Sequence, residues 1–355
     1  MMKKKILGIL LSTVLAAGVL GGCAKSDATI EKKDNSAVNT ESRDTAESDD
    51  KITIRTGVMT GIAEHFIALE GIEQGIFEKY GIDYQYTEFG TGVDAVNAIT
   101  TGQIDLAEIM DFGIINRIGQ TSDKSDLRIV AQNYVSKDTG SETALALYVN
   151  PETVSSIDDL KGKKISVALG TQNEYQNTIL REYANLSKDD LTEVPLNSIA
   201  DTIAVAKNGE IDAVWSSGQY AANLKELGWT PLVKGTDLGL FSRDLAVASE
   251  KFASDTEALK RYFQARAEIV DYILNNEDEA AEFIEGKTGI SKEQFKDTIN
   301  GSDLENKFDQ DTYDGLKSLK DWSVSAGNFA DYDLNKFINT EGLKEAYPDR
   351  VSYTE

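Results

Sequence analysis

A short unit occurs twice in this chain, and its two copies constrain the fold more than any other feature. Gly102-Gln103-Ile104-Asp105-Leu106 and Gly209-Glu210-Ile211-Asp212-Ala213 each follow a stretch of helical spacing and open an apolar run. Glycine closes a helix readily in the left-handed conformation, and the apolar run that follows reads as a strand. The copies stand at matching places in two successive α/β sets. The first predicts strands over 52–57, 84–89, 104–109 and 127–133, with helices over 65–79 (broken at Gly71 and Gly75) and 93–101. The second predicts strands over 144–149, 164–168, 193–196, 211–215 and 231–234, with helices near 174–184, 199–208 and 220–227. Such alternation specifies two α/β lobes with largely parallel sheets.

After a last strand over 245–249 the pattern predicts helix only, over 255–276, 277–288, 292–300, 310–326 and 340–347. Long late helices pack back onto an existing lobe, so the chain should cross between lobes near 136–141 and return near 236–244. Two crossings form a hinge, and a cleft between lobes is where small ligands are held. The expected organisation is therefore lobe 1 over 51–135 plus 240–355 and lobe 2 over 136–239.

The N-terminus carries a leader. Lys3, Lys4 and Lys5 precede an apolar run over 6–20 that is shorter than the stretch of about 20 residues a membrane span needs. Residues 1–22 read as a signal peptide ending in Leu20-Gly21-Gly22-Cys23, which resembles a bacterial lipobox. Cys23 is then the expected lipidation site, with acyl chains such as palmitate holding the protein to the membrane. Residues 24–50 are almost devoid of apolar side chains and are expected to form a disordered tether. The protein should lie on the outer surface of a Gram-positive cell or in a periplasm.

Cys23 is the only cysteine and His65 the only histidine. The folded body therefore has no disulfide, no thiolate metal site and no thiol nucleophile, and a His-rich zinc centre is excluded. Removing the leader takes the formal charge from −24 to −27. A field of that sign repels nucleic acid and keeps a secreted protein soluble. No cofactor, no metal and no enzymatic activity are expected, and the protein is expected to act as a monomer.

Several motifs add a family resemblance. His65-x9-Gly75-Ile76-Phe77, Gly81-Ile82-Asp83, Glu88-Phe89-x-Thr91-Gly92 and Gly102-x-Ile104-Asp105-Leu106 resemble the nitrate/sulfonate/taurine-binding family, which includes binders of thiamine-pyrimidine precursors. The run from Ile157 to Ile165, then Gly170-Thr171-Gln172-Asn173 and Ile211 to Trp215, agree with it. The resemblance covers about residues 51–251. It implies a type II periplasmic-binding-protein fold, two lobes joined by a two-strand hinge with a helical C-terminal extension. It also implies a solute-binding role beside an ABC permease and its ATPase, neither of which this chain contains. The pyrimidine-synthesising relatives use a Cys-rich segment that is missing here.

In such lobes the ligand meets the loops after strand ends, where helix N-termini present free N–H groups. The candidate ligand-binding residues are Met59, Gly61, Glu64, His65, Gly90, Thr91, Gly92, Asp111, Phe112, Gly170, Thr171, Asn173, Glu174, Ser216, Ser217 and Gln219. Singly these loops read as ordinary capped turns; together, at places matching the family, they read as one pocket. Glu64, Asp111 and Glu174 fall within them, while Lys and Arg do not. That composition disfavours a simple oxyanion such as nitrate and favours an organosulfonate or taurine-like zwitterion, its amine on Asp111 or Glu174. His65 matches a histidine of the pyrimidine-precursor binders, so an aminopyrimidine is the alternative ligand. Where many relatives have Asp-Pro, this chain has Ser216-Ser217-Gly218, so no relative's ligand transfers directly.

Overall fold

The computed structural model describes residues 51–354 apart from 138–143, 170, 197 and 198, with helical residues 199, 200, 218 and 219 described by backbone alone. The leader, Cys23 and the tether over 24–50 lie outside the described residues, as does part of the first expected crossing. The first set runs β1 (Ile52–Met59), α1 (Ala63–Glu73), α2 (Ile76–Lys79), β2 (Ile82–Phe89), α3 (Gly92–Thr100), β3 (Leu106–Met110), α4 (Asp111–Thr121) and β4 (Leu127–Ser136). The second runs β5 (Ala146–Val149), β6 (Lys163–Val167), α5 (Gln172–Tyr183), β7 (Leu191–Pro195), α6 (Ile199–Lys207), β8 (Ala213–Ser216), α7 (Gly218–Glu226) and β9 (Thr230–Lys234). Then follow β10 (Arg243–Ser249), α8 (Glu250–Ala253), α9 (Thr256–Asn275), α10 (Glu277–Thr288), α11 (Lys292–Asn300), β11 (Ser302–Asp303), β12 (Phe308–Asp309), α12 (Gln310–Ser325), α13 (Glu341–Ala346) and β13 (Val351–Ser352).

The two sets form two sheets of matching design. In the first, with order β11-β4-β10-β3-β1-β2, β1 pairs in parallel with β2 and β3, and β10 lies antiparallel between β3 and β4. In the second, with order β7-β6-β8-β5-β9, β6 pairs in parallel with β7 and β8, and β5 lies antiparallel between β8 and β9. Each sheet thus contains one reversed interior strand, the one that follows a crossing between sheets; the edge strand β11 of the first sheet is reversed as well. The expectation of a helix-only tail is corrected too, because β11 extends the first sheet and β12 pairs with β13.

The repeated Gly-x-Ile-Asp unit now has a physical account. Gly102 and Gly209 both sit at positive φ, 72° and 69°. Asp105 N–H donates to Arg55 O at 2.7 Å and its carboxylate accepts Arg55 N–H at 3.1 Å. Asp212 repeats both bonds with Lys164, at 2.8 and 2.9 Å. The carbonyl of each aspartate then accepts an N–H at the end of the reversed strand, Ser249 in one sheet and Asn150 in the other. One aspartate in each lobe therefore joins the start of a central strand to the reversed strand.

Gly71 does not break the first helix. It lies inside α1, and a Cβ there would come within 2.4 Å of Ile269 Cδ1 and of the Phe77 ring. Its smallness lets α1 close on α9; the turn falls at Gly75, whose φ is 65°. Helix α9 buries Leu259, Tyr262, Phe263, Arg266, Ile269, Val270 and Ile273, spaced three or four apart along one face. Arg266 is the charged member of that stripe and is 1% exposed. Its guanidinium forks onto Glu64 of α1 and also donates to Leu304 O at 2.7 Å, Asn306 Oδ1 at 2.9 Å and Asn133 O at 3.1 Å. All five of its N–H donors are used, as a buried cation requires. Helix α9, helix α1, strand β4 and the segment before β12 are held to one point.

Two more carboxyls, Glu108 on β3 and Asp244 on β10, are buried around this single cation. Glu108 accepts the Met59 N–H, and Asp244 accepts Asn133 Nδ2 at 2.9 Å. The second oxygen of each has no partner. Burial, then the charges of Asp244 and Glu64, raise the Glu108 pKa well above its ordinary value; burial and Glu64 do the same to Asp244. One guanidinium cannot neutralise three carboxylates, so burial and their mutual repulsion favour the protonated form in this pair.

Two predictions follow from this interior. Arg266→Met leaves Glu64 buried without its cation and should cost about 3–5 kcal/mol in urea unfolding; a loss no larger than the ~1 kcal/mol of a surface pair would contradict the assignment. Glu108 keeps in the fold a proton that it loses from the unfolded chain above pH about 4.3. Its contribution therefore falls as pH rises from there towards its raised folded value. Glu108→Gln should shallow the decline in stability between pH 5 and 8 by up to about 1.4 kcal/mol per pH unit. An unchanged slope would show that Glu108 is ionised in the fold.

Candidate functional site

Among the helices that begin just beyond strand ends are α3 after β2, α4 directly after β3, α5 after β6 and α7 after β8. Thr91 caps α3, accepting Asp94 N–H at 3.2 Å, and Thr171 caps α5, accepting Asn173 N–H at 3.2 Å. Both hydroxyls also donate locally, Thr91 to Asp94 Oδ2 and Thr171 to Ala168 O, both at 2.7 Å. These helix starts border three hollows.

The first hollow, of about 510 Å³, lies on lobe 1. Met59, Val96, Ile109 and Phe112 form its apolar wall, and Gly92 brings backbone to its edge. Among the described residues that line it Arg117 is the one charged side chain, donating to Asn97 Oδ1 at 3.1 Å. The second, of about 400 Å³, lies on lobe 2, where Thr171, Asn173, Ser216 and Ser217 converge with Trp215 and Tyr220. No charged residue is among the described residues that line it. Trp215 is 6% exposed, and its indole N–H has no partner.

The third hollow is a chamber of about 420 Å³ bounded by both lobes and the hinge. Asp111 enters from α4, Gln132, Val135 and Ser136 from β4, Gln172 and Tyr175 from α5, and residues 239–241 with Arg243 from the return crossing. Helix α12 closes one side. Arg243 is buried, donates to Asp311 O at 3.3 Å and stands 5.3 Å from the Phe241 ring centre. Among the described residues no carboxylate oxygen lies within 4.0 Å of it. Gly315 makes room for the guanidinium, since a Cβ there would come within 2.6 Å of Arg243 Nη1. Asp111 is 1% exposed; one oxygen accepts Phe112 N–H at 2.7 Å and the other has no partner. Burial raises its pKa to about 6 against the pull of the Arg243 charge, so it is mostly ionised at neutral pH. Gln132 Oε1 accepts Thr312 Oγ1 at 3.1 Å, while its Nε2 is buried without an acceptor. The Trp322 ring contacts both Phe112 and Tyr175, at 6.1 and 5.4 Å between centres, tying the two lobes beside the chamber.

Met59, Gly92 and Phe112 thus meet on lobe 1, and Thr171, Asn173, Ser216 and Ser217 on lobe 2, while Asp111 faces the chamber. Asn173 is turned inward, its Oδ1 accepting Ala168 N–H and its Nδ2 donating to Gln176. Gly61, Gly90, Thr91 and Glu174 line none of these hollows. Glu64 and His65 are instead enclosed in lobe 1. Glu64 is committed to Arg266 in the interior, and the His65 ring is buried, with Nδ1 accepting Gly61 N–H at 3.2 Å and Nε2 3.7 Å from Glu88. Burial holds the His65 pKa below its ordinary 6.5, with Glu88 pulling the other way. Gly170 and the Gln219 side chain lie outside the described residues.

The residues that sequence reasoning overlooked are Arg243, Gln132, Tyr175 and Arg117. Arg243 lies inside the segment read as the return crossing, but nothing local distinguishes a hinge arginine that faces a cavity from one in solvent. Gln132 sits in an apolar strand, where a lone amide was the available signal. Lys and Arg are absent from the five candidate loops, and Arg243 and Arg117 reach the hollows from outside them.

Known proteins resemble this chain over most of its folded length. A Bacillus subtilis (strain 168) protein named for aliphatic sulfonate binding is 24% identical over 263 residues, 73% of this chain and 76% of that protein. The crystal structure of the periplasmic aliphatic sulphonate binding protein SsuA from Escherichia coli covers 81% of this chain and 97% of its own, with TM-score 0.64 and 19% identity. The desulfurization enzyme DszB also shares the fold, with TM-score 0.59, 15% identity and coverage of 84% and 99%. The architecture is thus the periplasmic-binding-protein fold, used by binding proteins and by at least one enzyme. The family model described as NMT1/THI5 like matches residues 62–280, and the chain belongs to that family.

Proposed function

We propose that this protein is the solute-capturing component of an ABC importer, taking a small organosulfonate into the cleft between its lobes and handing it to a membrane permease. It is not an enzyme on this reading. The observation that carries it is Arg243, a buried guanidinium without a carboxylate partner among the described residues, beside a chamber that both lobes and the hinge line. Burying an unpaired cation is costly, and an anionic ligand removes that cost by forming charge-assisted hydrogen bonds. The walls beyond the chamber support the same class. The lobe-2 hollow supplies neutral donors, including the unpartnered Trp215 N–H, with no charged side chain among its described lining. The apolar lobe-1 hollow offers Met59, Val96 and Phe112 to a carbon chain. The relatives named for sulfonate binding agree with this class. An aminopyrimidine ligand is less well supported, because the His65 ring is enclosed in lobe 1.

Closure of the lobes would exclude water and strengthen these contacts, since charge–dipole interactions gain as the local dielectric falls. Anchoring by Cys23 and a tether over 24–50 would keep the captured solute beside the permease.

The wild-type protein should rise in melting temperature with ethanesulfonate, because a ligand that binds only the native state stabilises it. Arg243→Gln should weaken that ligand about 10- to 150-fold, the equivalent of a lost charged hydrogen bond of about 1.5–3 kcal/mol. Sulfonates that fail to bind the wild type, by calorimetry as well as melting, would refute the reading. For the anchor, Cys23→Ser should move the protein from the membrane fraction to the medium; unchanged fractionation would remove Cys23 from that role.

A further inference from the structure

We propose that Trp322 of α12 and Tyr175 of α5 form an aromatic clasp between the lobes, which favours their closed arrangement and so tightens solute binding from outside the site. The clasp does not depend on which solute is captured; its effect on affinity rests on the solute-binding reading.

Trp322 lines none of the three hollows. It continues a stripe of α12 that does line one. Gly315, Ser318 and Leu319 border the chamber, and Trp322 follows at the next helical step, so all four share one face of the helix. The indole stands 6.1 Å from the Phe112 ring centre, tilted by 48°. It also meets Tyr175 at 5.4 Å and 64°, the edge-to-face geometry that the charge distribution of aromatic rings favours.

The Trp322 and Tyr175 rings come from different lobes. Helix α12 is built into lobe 1, with Tyr313, Leu316 and Leu319 in the same apolar core as Phe112. Helix α5 is built into lobe 2, where Leu180 joins the core of Leu147, Val149 and Ile165. Tyr175 is half-buried and packs against both cores. Neither lobe can hold this contact alone. A hinge movement that parts α5 from α12 breaks it and returns apolar ring surface to water. The contact therefore weighs on the equilibrium between parted and closed lobes, with or without a solute. An aromatic pair of this geometry shifts an equilibrium about 2- to 12-fold.

One member of the clasp also belongs to the chamber. Tyr175 lines it together with Gln172, one turn earlier on α5. Burial and then the Asp111 charge raise the Tyr175 pKa while the Arg243 charge lowers it, so the ring stands near both charges as a neutral phenol. A solute held beside those charges leaves as the lobes part, which breaks the clasp. Stabilising the arrangement that holds the solute raises apparent affinity in proportion to its population.

The test reads lobe separation and affinity independently. Cys23 is the only cysteine, so the full chain carrying Cys23→Ser takes spin labels at chosen positions. Ile72 on α1 and Tyr183 on α5 are exposed, lie on different lobes and border none of the hollows, so Ile72→Cys with Tyr183→Cys reports the distance between lobes. Without added solute, Trp322→Ala should shift that distance distribution away from the wild-type one. Tyr175→Ala should do the same, and the double variant no more than either alone, because both remove one contact. Calorimetry and stopped-flow should show Trp322→Ala binding ethanesulfonate about 2- to 12-fold more weakly, chiefly through faster release, with Trp322→Phe recovering most of the loss. A wild-type distance distribution in Trp322→Ala would overturn the inference and leave the solute-binding reading standing. So would unchanged affinity in a variant whose lobes have parted. Failure of ethanesulfonate to bind the wild type would instead count against the sulfonate reading, while the distances still decide the clasp. Where Trp322→Ala loses its cooperative melt, Trp322→Leu, which keeps an apolar contact for Phe112, takes its place in every arm.

Discussion

The fold depends on one topological constraint: the reversed interior strand of each sheet is supplied only after the chain has crossed from the other sheet. Strand β5 enters the middle of the second sheet directly after the first crossing, and β10 enters the middle of the first after the return. The second sheet is built wholly between the two crossings, and the first is complete only after the return. Asp105 and Asp212 secure the arrangement at equivalent points, each bonding through N–H, carboxylate and carbonyl to a central strand and the reversed strand. Because β10 begins at the hinge, its first residue, Arg243, stands where both lobes meet.

The larger lobe adds a second constraint. Its late helices are bound to the sheet through a buried cation, and Arg266 uses every donor it has on α1, β4 and the segment before β12. Apolar packing of α9 alone fixes which face is buried; the directional bonds of Arg266 fix where along that face the helix sits. The network also gathers buried carboxyl groups, with Glu108 accepting the backbone N–H of Met59 and Asp244 following Arg243. Burial makes it favourable for those two carboxyls to remain protonated. Arg243 and Asp111 line the chamber as opposite charges set apart from that network.

This separation changes how the acidic loops are understood. Of the three carboxylates that lie near helix starts, Glu64 is turned inward to a cation 202 positions away in the chain, Glu174 borders none of the hollows, and Asp111 alone faces a cavity. The two lobe hollows carry no carboxylate among their described linings, and one carries Arg117. A net-negative protein can therefore present surfaces suited to an anionic group, because local dipoles and one buried guanidinium outweigh distant screened charge.

What was legible in the sequence was whatever depends on neighbours along the chain. The alternation of strands and helices, the paired Gly-x-Ile-Asp units and the late amphipathic helices are all written in periodicities of a few residues. Local reading failed where a residue's meaning comes from a remote partner. Gly71 looked like a helix break and is instead the contact point for Ile269. His65 and Glu64 looked like ligand groups and are enclosed, and Arg243 looked like an ordinary hinge residue and faces a chamber. Sequence by itself determined two α/β sets and the helices that follow their strands, because hydrophobic period and turn chemistry are local. Only the tertiary structure decided which charges stay exposed to a ligand, because burial and pairing depend on residues brought together across the whole fold.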